Sequence, residues 1–282
     1  MAKAEVPKKK PKAPPKPKAA AKPRPKPKAP PKPKAPAAAA TAEPKAKGPP
    51  AGAAFRPQVA SAIGPAPAGV VVCSTEKRTD PNLPVVVGGD AAEVRLWVAG
   101  TVLRWRFRKA SFAFFADAKK AMDGVKKLVT KAAGAWGAAA PVKLAYDDDD
   151  WDFEVVMNPA DNRVGGGYTL ARAFFPGVQR RTIVLYPRLF SMAETGVVST
   201  LCHELGHVYG LRHFFAVEQE GGTAVPFGEH RPKTIMNYGA NSTLTAADKA
   251  DLARLYQEAR AGTLTKLGRW PVKLVKPFTA GG

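Results

Sequence analysis

The chain has 282 residues, 45% of them hydrophobic, and a formal charge of +21 at neutral pH, enough length for one substantial core. No run approaches the roughly 20 apolar residues of a membrane-crossing helix, and two cysteines, Cys73 and Cys202, are too few for a disulfide scaffold. The charge is uneven: residues 1–50 hold 15 Lys or Arg against 2 Asp or Glu, 15 of the 28 prolines and no aromatic residue.

A segment that is proline-spaced, strongly charged and nearly free of large apolar groups cannot repay its ordering entropy. Residues 1–60 therefore read as a disordered Lys/Pro/Ala-rich tail, locally polyproline II. Such a tail can neutralise nucleic acid or another polyanion without sequence specificity, or serve as a solubilising spacer; the lack of stacking aromatics and of an arginine cluster favours the spacer. No apolar core of about 7–15 residues follows the basic start, so an intracellular protein is the expectation at face value, with secretion by another route and a different start codon left open. Residues 61–92 form a linker or a pro-region, with apolar runs at 70–73 and in "LPVVVGG", 83–89.

From residue 93 the texture changes. "EVRLWVAGTVLRWRFR", 93–108, reads as a strand pair about Ala99-Gly100, with Val102, Arg104, Arg106 and Arg108 on one face and Leu103, Trp105 and Phe107 on the other. Over 115–140, Met122, Val125, Leu128, Val129, Ala132 and Trp136 recur at spacings of three and four, an amphipathic helix with lysines on its wet side. "PVKLAY" and "DFEVVM" give two short strands flanking Asp147 to Asp150. That acidic run can offer oxygen ligands to calcium, but its spacing matches no calcium loop, and a solvated loop is the commoner explanation. "NRVGGGYTLARAFFP", 162–176, is a glycine-rich turn entering an exposed strand, and "RTIVLYP", 181–187, is another strand.

"AETGVVSTLCHELGHVYG", 193–210, has Val197, Val198, Leu201, Leu205 and Val208 at helical spacing. His203 and His207 then project from one face, one turn apart, where both can meet a single ion. Glu204 lies beside them, within reach of a water on that ion without ligating it. Gly210 can take the left-handed conformation that ends a helix and turns the chain back, which lets His213 become a third ligand. Three neutral imidazoles with a fourth position open is the catalytic arrangement of one Zn(II). A bare pair of histidines with a glutamate also arises as a plain polar helix face, but here a third histidine follows the glycine in a chain with only four.

HELGHVYGLRH resembles the signature H-E-x-x-H-x-x-G-x-x-H of the metzincin zinc proteases, and "TIMNYG", 234–239, resembles their Met-turn. "LARAFFP" is similar to the edge strand of matrixins, and "LTAADKADLARLY", 244–256, with Thr245 as N-cap, to their closing helix, so the likeness spans about residues 100–260. The resemblance implies an α+β zincin domain over 93–262 with a C-terminal extension over 263–282: a twisted, mostly parallel five-stranded sheet with an antiparallel edge strand, a long active-site helix, and Met236 beneath the ligands. Tyr238, two after the Met, resembles the astacin and serralysin tyrosine that contacts zinc and is thought to steady the oxyanion; a packed tyrosine with a surface hydroxyl is its plainer reading.

Departures leave the subfamily open. Arg172 stands where matrixins usually have a histidine, which makes a second, structural zinc doubtful, and Phe214 after the third histidine is not the residue that marks matrixins, astacins, serralysins or adamalysins. Cys73 reads as an ordinary apolar-strand cysteine ahead of a zinc-masking one, and Cys202, about 100° from His203 around the helix, as core.

The implied activity is that of a zinc endopeptidase acting as a monomer on protein or peptide substrates. His203, His207 and His213 would hold the metal, Glu204 would be general base, Tyr238 would serve the oxyanion, and Leu170, Ala171, Arg172, Ala173 and Phe174 would form the edge on which substrate pairs. Residues 214–233, with His230, would wall the site. The alternative is a polyanion- or peptide-binding protein that works through its tail on a weakly active scaffold; the intact Glu204 argues against it.

Overall fold

A computed structural model describes residues 71–72, 93–164, 167–178, 181–216, 224–228 and 231–277. The basic tail, Cys73, His230 and most of 61–92 lie outside the described residues. The strands are β1 (Val71–Val72), β2 (Val94–Trp97), β3 (Val102–Phe107), β4 (Lys143–Tyr146), β5 (Phe153–Met157), β6 (Asn162–Val164), β7 (Gly167–Thr169), β8 (Ala171–Arg172), β9 (Thr182–Leu185), β10 (Lys266–Leu267) and β11 (Trp270–Val275). The longer helices are α1 (Ala118–Trp136), α2 (Glu194–Val208) and α3 (Ala246–Arg260).

Alternation along β3 drives the central layer. Leu103, Trp105 and Phe107 are each at most 3% exposed, and their face carries through Phe153 and Val155 of β5 to Ile183 and Leu185 of β9. The sheet order is β4-β3-β5-β9-β8, with the first four strands parallel and β8 antiparallel at the edge. This is the parallel-rich mixed sheet expected. Asp117 caps α1 by accepting the Lys120 N–H at 2.8 Å; of the stripe predicted by the helical spacing, Val125, Leu128, Val129, Ala132 and Trp136 are buried, Met122 is half-buried and Ala121 is buried instead, and α1 packs against α2. The Trp136 indole N–H, donated to the Cys202 carbonyl at 3.1 Å, ties the two helices.

The opposite face of β3 is an arginine ladder. Glu154, 6% exposed, accepts from Arg106 Nε at 3.2 Å and from Arg108 Nε and Nη2 at 2.8 and 2.6 Å. The acidic run is drawn into the same network: Asp150 pairs with Arg104 and Asp148 with Lys109, both at 3.2 Å. Asp147 accepts the backbone N–H groups of Asp150 and Asp149, and those bonds hold its carboxyl below the usual range. The run is a loop folded on itself and clamped by basic side chains.

One expectation is overturned. β2 and β3 are both present, but they do not pair with each other. Gly100, at φ 72°, turns the chain between two sheets: β3 enters the central sheet, while β2 runs parallel to β11 in a sheet of order β10-β11-β2. The reason is burial. Val94, Leu96 and Trp97 are all buried, so β2 is covered on both faces, which a one-sided hairpin arm would not be. The segment after α3, set apart above as an extension, thus supplies β2 with its partner.

Ending the chain after Gly262 removes four ladder pairs at about 0.2–1 kcal/mol each. We expect thermal unfolding to fall by roughly 2–16 °C, and an unchanged melting temperature would show that β11 does not support β2.

Candidate metal and catalytic site

α2 carries His203 and His207 one turn apart on a helix whose last eight residues are all buried. The helix must then stop at once, and it ends in a Schellman motif. Gly210 takes φ 93°, its N–H bonds to the His207 carbonyl and the Leu211 N–H to the Gly206 carbonyl, both at 2.8 Å. The next two carbonyls also find donors: Val208 O accepts the Trp97 indole N–H at 2.8 Å, and Tyr209 O accepts the Tyr256 hydroxyl at 3.0 Å. All four carbonyls at the helix end are therefore satisfied inside the protein. A Cβ at position 210 would lie 3.1 Å from Leu96 Cδ2 and 3.4 Å from Arg95 O, so β2 forms the wall behind the turn.

The reversal brings His213 back over the helix. Ring centroids lie 4.9 Å apart for His203 and His207, 5.1 Å for His203 and His213, and 4.7 Å for His207 and His213. One nitrogen from each ring falls within 4.8 Å of the others, and the three residues are 4%, 0% and 5% exposed. Backbone carbonyls set the tautomers. His203 Nδ1 is 2.7 Å from Ile235 O and His207 Nδ1 is 2.8 Å from Leu211 O; a carbonyl only accepts, so Nδ1 carries the proton and Nε2 presents its lone pair. The donor set fits a divalent metal such as zinc.

Ile235 belongs to a turn in which the Asn237 N–H bonds to Thr234 O at 3.2 Å. Met236 follows, 4% exposed, and a Cβ on Gly206 would sit 2.4 Å from its Sδ. The turn is joined to the His213 loop by the Phe214 N–H on Met236 O at 2.9 Å. Its other anchor is Asp248, which accepts from Thr234 Oγ1 and, at 3.2 Å, from the Ile235 N–H. The same carboxylate closes the capping box of α3 with Thr245.

Glu204, 1% exposed, lies with His203 and Tyr238 along a cleft of about 320 Å³ whose opposite wall is Leu170 and Ala171. The Tyr238 hydroxyl is 3.1 Å from His213 Nε2. Two phenylalanines enclose the histidines: Phe175 meets His207 edge-on at 5.3 Å and Phe215 stacks on His213 at 4.8 Å. Cys202 faces away, its Sγ toward Ala132 O, and burial pushes its thiol up to about 11.

The sequence-predicted residues His203, Glu204, His207, His213, Tyr238 and Met236 thus converge. The edge is shorter than read: β8 ends at Arg172, Ala173 lies beyond it, and Phe174 is 4% exposed with its ring 5.3 Å from Phe153. Asp248, Phe175, Phe215 and the two capping side chains Trp97 and Tyr256 were missed. Only Asp248 left a trace in the sequence, as the third residue after Thr245.

No family model and no curated protein matches this sequence. Two structures of myroilysin resemble it at TM-score 0.40, with 15% and 18% identity, covering 57% and 64% of this chain and 95% and 97% of theirs. High choriolytic enzyme 1, a hatching-enzyme zinc protease of the medaka Oryzias latipes, is similar at TM-score 0.36 and 11% identity over 57% of this chain and 94% of its own.

Gly206→Ala forces Met236 out of its seat. We expect a loss of about 1–3 kcal/mol in denaturant unfolding, and wild-type stability would show that Met236 does not need that contact.

Proposed function

We propose that this protein is a zinc-dependent endopeptidase. The observation that carries the reading is the set of three buried imidazoles within 4.8 Å of one another, two of them held by carbonyls in the tautomer that presents Nε2, beside a buried glutamate at a cleft. His203, His207 and His213 would hold the ion. Zinc bound there would supply Lewis acidity toward a water molecule and the scissile carbonyl.

The chain's own groups carry the rest. Glu204 takes a proton from the attacking water and returns it to the leaving nitrogen. Tyr238, poised beside His213, donates its hydroxyl to the oxyanion that develops on the substrate carbonyl. Phe175 and Phe215 keep bulk water from the imidazole rings, which strengthens each polar contact within. Met236 is a positioning residue: it fills the space under Gly206 and carries the turn whose Ile235 carbonyl orients His203. Substrate lies extended along β8, and its side chains enter the cleft between that strand and α2.

The test is zinc-loaded wild type beside Glu204→Ala on a denatured protein. Expected are cleavage by wild type, abolition by a chelator with recovery on added zinc, and a loss of at least about 100-fold in the variant with one zinc per chain retained by elemental analysis. Equal cleavage by both proteins, or none by zinc-replete wild type, would sink the peptidase reading.

A further inference from the structure

β8 is the outermost strand of the central sheet, and its hydrogen-bond phase can be read from one contact. The Tyr186 N–H donates to Leu170 O at 3.0 Å, and Ala171 stands opposite Leu185, Arg172 opposite Val184. In an antiparallel ladder this makes Ala171 the non-hydrogen-bonded partner of Leu185. The Ala171 N–H and C=O therefore point away from β9, along the open edge, while Leu170 and Arg172 turn theirs inward. A peptide that adds to this edge bonds to Ala171, and the neighbouring peptide residue comes to face Arg172 on the same side of the sheet.

Arg172 is unusual among the arginines of this sheet. Arg104 pairs with Asp150, and Arg106 and Arg108 share Glu154, the one acidic residue in β3, β5, β8 and β9. Among the described residues, the part-buried Arg172 guanidinium has no ion pair, hydrogen bond or aromatic partner. Its side lies with Val184 and Val156, opposite to the side on which β8 and α2 form the cleft. A cation that is part-buried and unneutralised, one residue from the outward-facing peptide group of an edge strand, is a receptor for an anion delivered on a paired strand.

We propose that Arg172 selects an acidic side chain in the bound peptide, at the position next to the residue hydrogen-bonded to Ala171 and on the sheet face away from the cleft. The proposal rests on the peptidase reading for its setting, and it names that reading's substrate class: extended segments with Asp or Glu at this one place. The carboxylate completes the cross-strand pair that the protein leaves half made. Residues 1–50, with 15 Lys or Arg against 2 Asp or Glu, attract acidic peptides as well, but a charge repeated so often along the sequence favours no single peptide position.

The test is a peptide series in which one Glu is walked through every position, each peptide with a Gln twin. Cleavage by the zinc-loaded full chain is measured alongside anisotropy binding to Glu204→Ala, each with and without Arg172→Gln. The expected result is a Glu-over-Gln preference of about fivefold at a single position, falling to about onefold with Arg172→Gln and reversing in favour of a Lys peptide with Arg172→Glu. Because each preference is a ratio within one protein, partial loss of folded protein cancels. Cleavage with no position-specific preference, or with one that survives Arg172→Gln, overturns the assignment and leaves the peptidase standing. Binding that shows the Arg172-dependent preference without any cleavage does the opposite. Neither cleavage nor a preference in binding overturns both.

Discussion

Two carbonyl oxygens govern the site. Ile235 O and Leu211 O each accept an imidazole proton and thereby decide which nitrogen of His203 and His207 is left with its lone pair. A histidine whose Nδ1 finds no acceptor can rotate or take the other tautomer, and three such rings would not converge. Each carbonyl, moreover, belongs to a segment that is itself held from elsewhere. Leu211 is placed by the helix-ending turn at Gly210, and Ile235 by the turn that Asp248 anchors to α3. His203 and His207 are therefore oriented by backbone that two distant elements, β2 and α3, keep in position.

This dependence explains what the sequence disclosed and what it concealed. His203, His207 and Gly210 lie within eight residues, where helical periodicity and the left-handed tolerance of glycine act locally, so their geometry follows from spacing alone. His213 follows by the same local reversal. The capping partners are another matter. Trp97 reaches Val208 across 111 residues and Tyr256 reaches Tyr209 across 47, and an indole or a phenol in the core advertises no particular acceptor. Asp248 left only its spacing from Thr245 as a trace, and its second pair of bonds, to Thr234 and Ile235, arises only when the turn is folded onto α3.

The same contrast holds for the strands. Alternation along β3 announced its buried face, and the structure keeps it. Pairing was misread where it was non-local: proximity in sequence suggested β2 with β3, whereas double-sided burial of β2 called for a partner from beyond α3. The edge strand was overestimated for a related reason. Phe174 looks like a continuation of "LARAFF", yet a phenylalanine gains more from burial with its ring tilted against Phe153 than from an open sheet edge.

The parallel pairing of β2 with β11 also bears on the order of events during folding. Leu96 and Arg95 form the wall behind Gly210, but their strand is synthesised long before its partner. A chain still being made can fold α2 and bring its first two histidines together, while the support behind the third waits for residues 270–275. Contacts of such long sequence separation close late and slowly. The wall behind the turn that carries His213 is thereby completed only when nearly all of the domain has been synthesised.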